Sequence, residues 1–145
     1  MTCTFFGHRD APSSLRDRLK DVLRELIETR GADLFYVGNH GSFDRMATSA
    51  LYELSAEYPS IRCYTVLAYL PDRERAPGEL PTVFPEGIKL IPKRYAISYR
   101  NRFMVEQSDT VISYITYSFG GAAKFTELAR RKGKTVINLA TLKRG

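Results

Sequence analysis

The chain has 145 residues, 43% of them hydrophobic, and its 22 Lys and Arg against 16 Asp and Glu give a formal net charge of +6. That length and content suit one globular domain over 1–145 that buries its core without disulfides or metals. No apolar run approaches the roughly 20 residues needed to cross a bilayer and the first residues lack a basic-then-apolar signal pattern, which excludes a membrane-spanning chain and predicts a cytosolic one.

In chain order, the apolar run Cys3-Thr4-Phe5-Phe6 reads as a strand, because short continuous runs of aromatic and β-branched residues suit strands covered on both faces. Leu15, Leu19, Val22, Leu23, Leu26 and Ile27 then recur on one helix face, with Ser14 and Asp17 as a capping pair and Gly31 just past the end. A second strand follows over 34–37. A second helix is predicted over 43–57, where Ala47, Ala50, Leu51 and Leu54 share a face and Tyr58-Pro59 stops the pattern. A third strand spans 61–67.

Residues 71–92 break the rhythm with five prolines, two glycines and several charges, and read as a long surface loop, either a lid or a plain insertion. A third helix over 92–107, a strand over 111–115, a helix over 121–132 closed by Gly133, and a last strand over 136–139 complete the chain. The two cysteines, Cys3 and Cys63, lie inside strand-like runs without C-x-x-C spacing and read as buried reduced thiols. Strict alternation of strand and helix predicts an α/β domain of Rossmann type. Its sheet is five-stranded and mainly parallel, with right-handed crossovers and helices on both faces.

Ligands in such sheets bind beyond the carboxyl ends of the strands, so the residues that follow each strand carry the functional signal. Three glycine-containing turns gather there: Gly7-His8-Arg9, the stretch Gly38-Asn39-His40 leading to Asp44, and Ser118-Phe119-Gly120-Gly121. Such turns let backbone N–H groups approach an anion, and the helices they open add their positive dipole ends. Each turn alone is also ordinary turn punctuation. The positive charge suits an anionic ligand, a nucleic-acid surface or a soluble basic exterior, and does not choose among them.

Arg100 shares a helical stripe with Ala96, Phe103 and Met104, so its guanidinium calls for a carboxylate or phosphate partner. Ligand contact, snorkelling to the helix edge and an ion pair with Asp109 are the alternatives. Glu127 is either an i, i+3 partner of Lys124 or a ribose acceptor or acid/base in the pocket. Asp44 is either a first-turn carboxylate favoured by the helix dipole or a group that orients ligand. His8 and His40 have no metal-ligand spacing with another His or Cys, and no metal or other cofactor is predicted.

Taken together, Gly7-His8-Arg9, the Gly38-to-Asp44 turn, RNRFMVEQSD from Arg100 and GGAAKFTE from Gly120 resemble the SLOG superfamily. This superfamily contains LOG-type phosphoribohydrolases, DprA DNA-processing proteins and YpsA-like proteins, and the motifs are most similar to the YpsA-like branch. On the LOG pattern Arg100 matches the functional arginine, Gly120 and Gly121 the glycine pair, and Glu127 the functional glutamate. Phe119, Ala123 and Lys124 depart from that pattern, and Asn39 and His40 interrupt the YpsA-like second turn while Asp44 still matches.

The resemblance implies a nucleotide-derived small-molecule ligand and a homodimer. The leading expectation is therefore a binding or sensing domain with base or ribose near His8 and Arg9, phosphate at Gly120 and Gly121, and Arg100 neutralising it. An N-glycosidase acting on nucleoside monophosphates, with Glu127 and Arg100 catalytic, is the first alternative. Nucleic-acid binding ranks lowest, because the basic residues are spread along the chain and much of the aromatic content lies in predicted strands.

Overall fold

The computed structural model describes residues 1–71 and 74–141; positions 72–73 of the expected loop and 142–145 of the expected domain lie outside the described residues. Six parallel strands form one sheet: β1 (Thr2–Gly7), β2 (Leu34–Val37), β3 (Arg62–Val66), β4 (Thr82–Val83), β5 (Thr110–Tyr114) and β6 (Thr135–Asn138). The helices are α1 (Arg16–Arg30), α2 (Gly41–Glu57), α3 (Ala96–Gln107) and α4 (Gly121–Arg131).

The sheet order is β4-β3-β2-β1-β5-β6. The chain winds outward from β1 through β4, then returns to lay β5 on the other side of β1. That reversal makes a topological switch point between β1 and β5, where neighbouring connections leave in opposite directions and open a crevice.

Period-two alternation along β1 explains the two-sided core. Cys3 and Phe5 face the cluster built with Leu19 and Leu23 of α1 and Phe43, Ala47 and Leu51 of α2. Phe6 faces the opposite cluster, with Met104 and Val105 of α3 and Phe125 and Ala129 of α4. Helices thus cover both faces, and Cys3 and Cys63 are buried free thiols.

The expected five strands become six because Thr82–Val83, inside the predicted loop, pairs with β3 through Thr65↔Thr82 and Val66↔Val83. Two residues between Pro81 and Pro85 carry no readable period. The same segment also holds a 3₁₀ turn at Ile88–Leu90. The expected Ser14–Asp17 capping pair does not form: a 3₁₀ turn at Ser13–Leu15 leads into α1, and no side chain caps it. Gly31 does close α1 in the left-handed conformation, at φ 72°. The third helix begins at Ala96, after a separate 3₁₀ turn at Lys93–Tyr95. No helix among the described residues is long and apolar enough to cross a membrane.

Candidate functional site

Because β1 lies between β2 and β5, the turns after these strands adjoin. Gly7, His8, Arg9, His40, Asp44, Arg100, Gly120 and Gly121 line one cavity of about 290 Å³ at the β1/β5 switch point. Gly38 and Asn39 line a neighbouring cavity of about 760 Å³, which shares His40 and Asp44 with the first. Ser118, Lys124 and Glu127 line neither.

Glu127 is exposed on α4 and pairs with Arg130 at 3.4 Å, not with Lys124. Lys124 instead places its Nζ 5.4 Å from the centre of the Phe125 ring. Both point away from the cavity's lining because α4 turns its Ala123, Phe125, Thr126 and Ala129 face to the sheet. The acid/base assigned to Glu127 in the hydrolase alternative is thus outside the cavity.

His8 is buried, and its Nε2 accepts hydrogen bonds from the backbone N–H groups of Thr116 at 3.0 Å and Tyr117 at 3.4 Å. An acceptor Nε2 places the ring proton on Nδ1 and holds the imidazole neutral. Burial lowers the His8 pKa in the same direction, against the weaker pull of Asp10. The turn after β5 therefore spends two of its N–H groups on His8, and Gly120 and Gly121 are its glycines in the cavity's lining. Gly120 has φ 93° and ψ 170°, a region only glycine occupies readily. Gly121 has no such need, and a Cβ there would meet no protein atom within 4 Å, so the surface beside it is open.

Arg100 is 2% exposed. Its Nε donates to Asn101 Oδ1 at 2.8 Å, its Nη1 to Asn39 Oδ1 at 3.0 Å and to the Val66 carbonyl at 3.1 Å, and its Nη2 lies 3.4 Å from His40 Nδ1. The alternative of an ion pair with Asp109 is not seen among the described residues, and the Asp109 carboxylate accepts the Thr2 N–H at 2.9 Å. The guanidinium ties the ends of β2 and β3 to α3.

Asp44 accepts the N–H of His40, the residue before α2, at 2.9 Å. A Cβ built on Gly38 would stand 2.8 Å from Asp44 Oδ2 and 3.3 Å from Arg100 Cζ, so carboxylate and guanidinium converge on that glycine. Burial pushes the Asp44 carboxyl from 3.8 up to about 6, opposed by the His40 N–H and by the charges of Arg100 and Arg45. A raised carboxyl stabilises the fold in its protonated form. Its contribution is complete below about pH 4 and is lost as pH rises through about 6. The stability of Asp44→Asn relative to wild type should thus rise by about 3 kcal/mol between pH 4 and pH 7 in urea titrations, the value of a two-unit shift. A flat difference across that range would contradict the buried charge.

Two aromatic residues that the sequence reading left out complete the site. Tyr117 stacks on His8 at 3.5 Å between ring centres and 7° between planes, and Phe119 stacks on Tyr117 at 4.4 Å and 28°. Phe119 ends the stack 71% exposed. The signal was Tyr117-Ser118-Phe119 in a glycine-rich turn, where no core periodicity accounts for aromatic rings.

No protein-family model and no curated protein match the sequence. Among solved structures, the chain is similar to DNA processing protein A (DprA) from Streptococcus pneumoniae, with TM-score 0.66 and 15% identity over 93% of this chain and 48% of that one. It is also similar to DNA processing protein A from Helicobacter pylori, described for its single-stranded DNA binding mode, with TM-score 0.63 and 15% identity over 94% of this chain and 63% of that one. The chain thus spans about half to two thirds of the length of these proteins. At this identity the likeness is one of fold, and it agrees with the SLOG resemblance; the YpsA-like kinship rests on motifs alone. The neighbours correct the expected ranking, in which a small nucleotide-derived ligand came first and nucleic acid last: both are DNA-processing proteins, and one is described by its binding of a single strand.

Proposed function

We propose that this chain binds single-stranded nucleic acid at the β1/β5 switch point, stacking a base on Phe119 and placing a phosphate beside Gly120 and Gly121. The observation that carries the reading is the His8–Tyr117–Phe119 stack, buried at one end and exposed at the other. A ring backed by two others is held in place before a base arrives. Stacking on such a platform is tolerant of sequence because every base has a π-face.

Charge supports the same reading. On the outer surface of α1 and α2, Arg16, Lys20 and Arg24 are bridged to Glu53 and Glu57. In the lining of the two cavities, Arg9 and Arg45 have no carboxylate bridge among the described residues. These guanidinium groups offer unneutralised positive charge to phosphates beside the cavities. Arg100 acts as a positioning residue, holding His40 and Asn39.

Fluorescence anisotropy with a labelled oligothymidylate tests this. Affinity should fall steeply as salt is raised, with a log–log slope of about −0.7 per phosphate neutralised. Phe119→Ala should weaken binding by about 1–3 kcal/mol, roughly fivefold to 150-fold, at an unchanged melting temperature because the ring is exposed. No binding at low salt, or binding indifferent to Phe119→Ala, would remove the proposal.

A further inference from the structure

The second cavity, of about 760 Å³, is left unused by a site confined to Phe119. It lies over the ends of β2 and β3 and adjoins the first cavity at His40 and Asp44. Its far rim carries Tyr69, which is 38% exposed, and Leu70. The Tyr69 hydroxyl donates to the Lys93 carbonyl at 3.0 Å, and Lys93 Nζ lies 5.6 Å from the centre of the Tyr69 ring. Outside the cavity's lining but next in the chain to Lys93, Arg94 Cζ stands 4.8 Å from the centre of the Tyr95 ring, itself 53% exposed. Neither Lys93 nor Arg94 is bridged to a carboxylate among the described residues. Exposed rings with cations held over them form a surface of the kind that bases and phosphates share.

We infer that the nucleic-acid surface runs across the strand ends from Phe119 to a second stacking platform at Tyr69 and Tyr95, so that one single strand crosses both cavities. This rests on the single-strand reading and extends it. Charge complementarity names the occupant: Arg9 and Arg45 line the two cavities and Lys93 and Arg94 flank the second platform, while the acidic groups are the buried Asp44 where the cavities meet, Glu79 in the second cavity and Asp10 next to Arg9. Glu79 turns its carboxylate to the Ala76 N–H. From β5 to β3 the sheet order gives three strand spacings of about 4.8 Å, or about 14 Å. At the stacked rise of about 3.4 Å per step, that span takes about four steps, which join five nucleotides. A stacked strand of four has three steps, about 10 Å, and reaches one platform only.

The test compares dT4 and dT12 by anisotropy on wild type, Phe119→Ala and the Tyr69→Ala/Tyr95→Ala double variant. The double variant should bind dT12 about tenfold more weakly or worse and dT4 within about twofold of wild type, whereas Phe119→Ala should weaken both. Tyr69→Phe keeps the ring and should bind dT12 as wild type does. Tyr95→Ala alone, which removes no side-chain hydrogen bond among the described residues, should still weaken dT12 by a few-fold and serves if the double variant fails to fold. Undiminished dT12 binding by the double variant and by Tyr95→Ala, with Phe119→Ala still defective, would overturn the second platform and leave the first. Wild type that binds neither oligonucleotide would overturn both.

Discussion

Arg100→Ala is expected to destabilise the fold by about 3–5 kcal/mol, the range for removing one partner from a buried charged network. The guanidinium is 2% exposed and serves Asn101, Asn39, the Val66 carbonyl and His40 at once. Its loss leaves the Val66 carbonyl without that donor and removes a cation that stabilises the ionised Asp44. The midpoint of thermal unfolding should fall on the order of 10 °C for a chain of this size. Arg100→Lys should recover only part of the loss, because an ammonium has no planar fork to satisfy partners lying in several directions. Urea unfolding measures both, and a cost under about 1 kcal/mol for Arg100→Ala would refute the network.

A second readout separates this role from direct phosphate binding. If Arg100 only positions its neighbours, the salt slope for oligothymidylate binding to the neutral variant Arg100→Gln stays as in wild type. A slope shallower by about 0.7 would instead show that the guanidinium neutralises one phosphate of the bound strand.

Gly7→Ala is expected to cost about 3 kcal/mol or more, the upper end of overpacking in a filled core. A Cβ at Gly7 would overlap the Phe43 ring and stand 2.8 Å from Phe43 Cβ. Phe43 is fully buried in the first turn of α2 and cannot swing into solvent. Gly7 was expected to admit a ligand; its physical requirement is the close approach of α2 to the end of β1. A double-mutant cycle with Phe43→Ala tests this directly. Phe43→Ala alone should cost about 3–5 kcal/mol, and the double variant less than the sum of the singles by at least about 1 kcal/mol, because the new methyl group occupies vacated space. Strict additivity would mean that the two side chains do not compete.

Much of the candidate site was legible because strands in a parallel sheet deliver their carboxyl ends to one edge. Reading the residues after each strand brought His8, Arg9, His40, Asp44 and Gly120 to a shared cavity. Lys124 and Glu127 were misplaced because a motif match specifies spacing along α4, whereas the angle at which α4 packs on the sheet decides which residues reach the cavity. Phe119 was read as a departure from a motif. Its exposure and its stacking on Tyr117 depend on how the turn folds over His8, a residue more than 100 positions earlier.

The amino-acid sequence by itself determined the alternating elements, the two-sided core of β1 and the left-handed end of α1, because hydrophobic period and glycine placement act within a few residues. Only the tertiary structure decided that β4 exists, that the sheet runs β4-β3-β2-β1-β5-β6, and that Arg100 bonds Asn39 across 61 positions instead of Asp109 nearby. A two-residue strand has no period of its own, and a buried guanidinium takes whichever acceptors packing brings within about 3 Å. Both are properties of how elements meet, which no local pattern encodes.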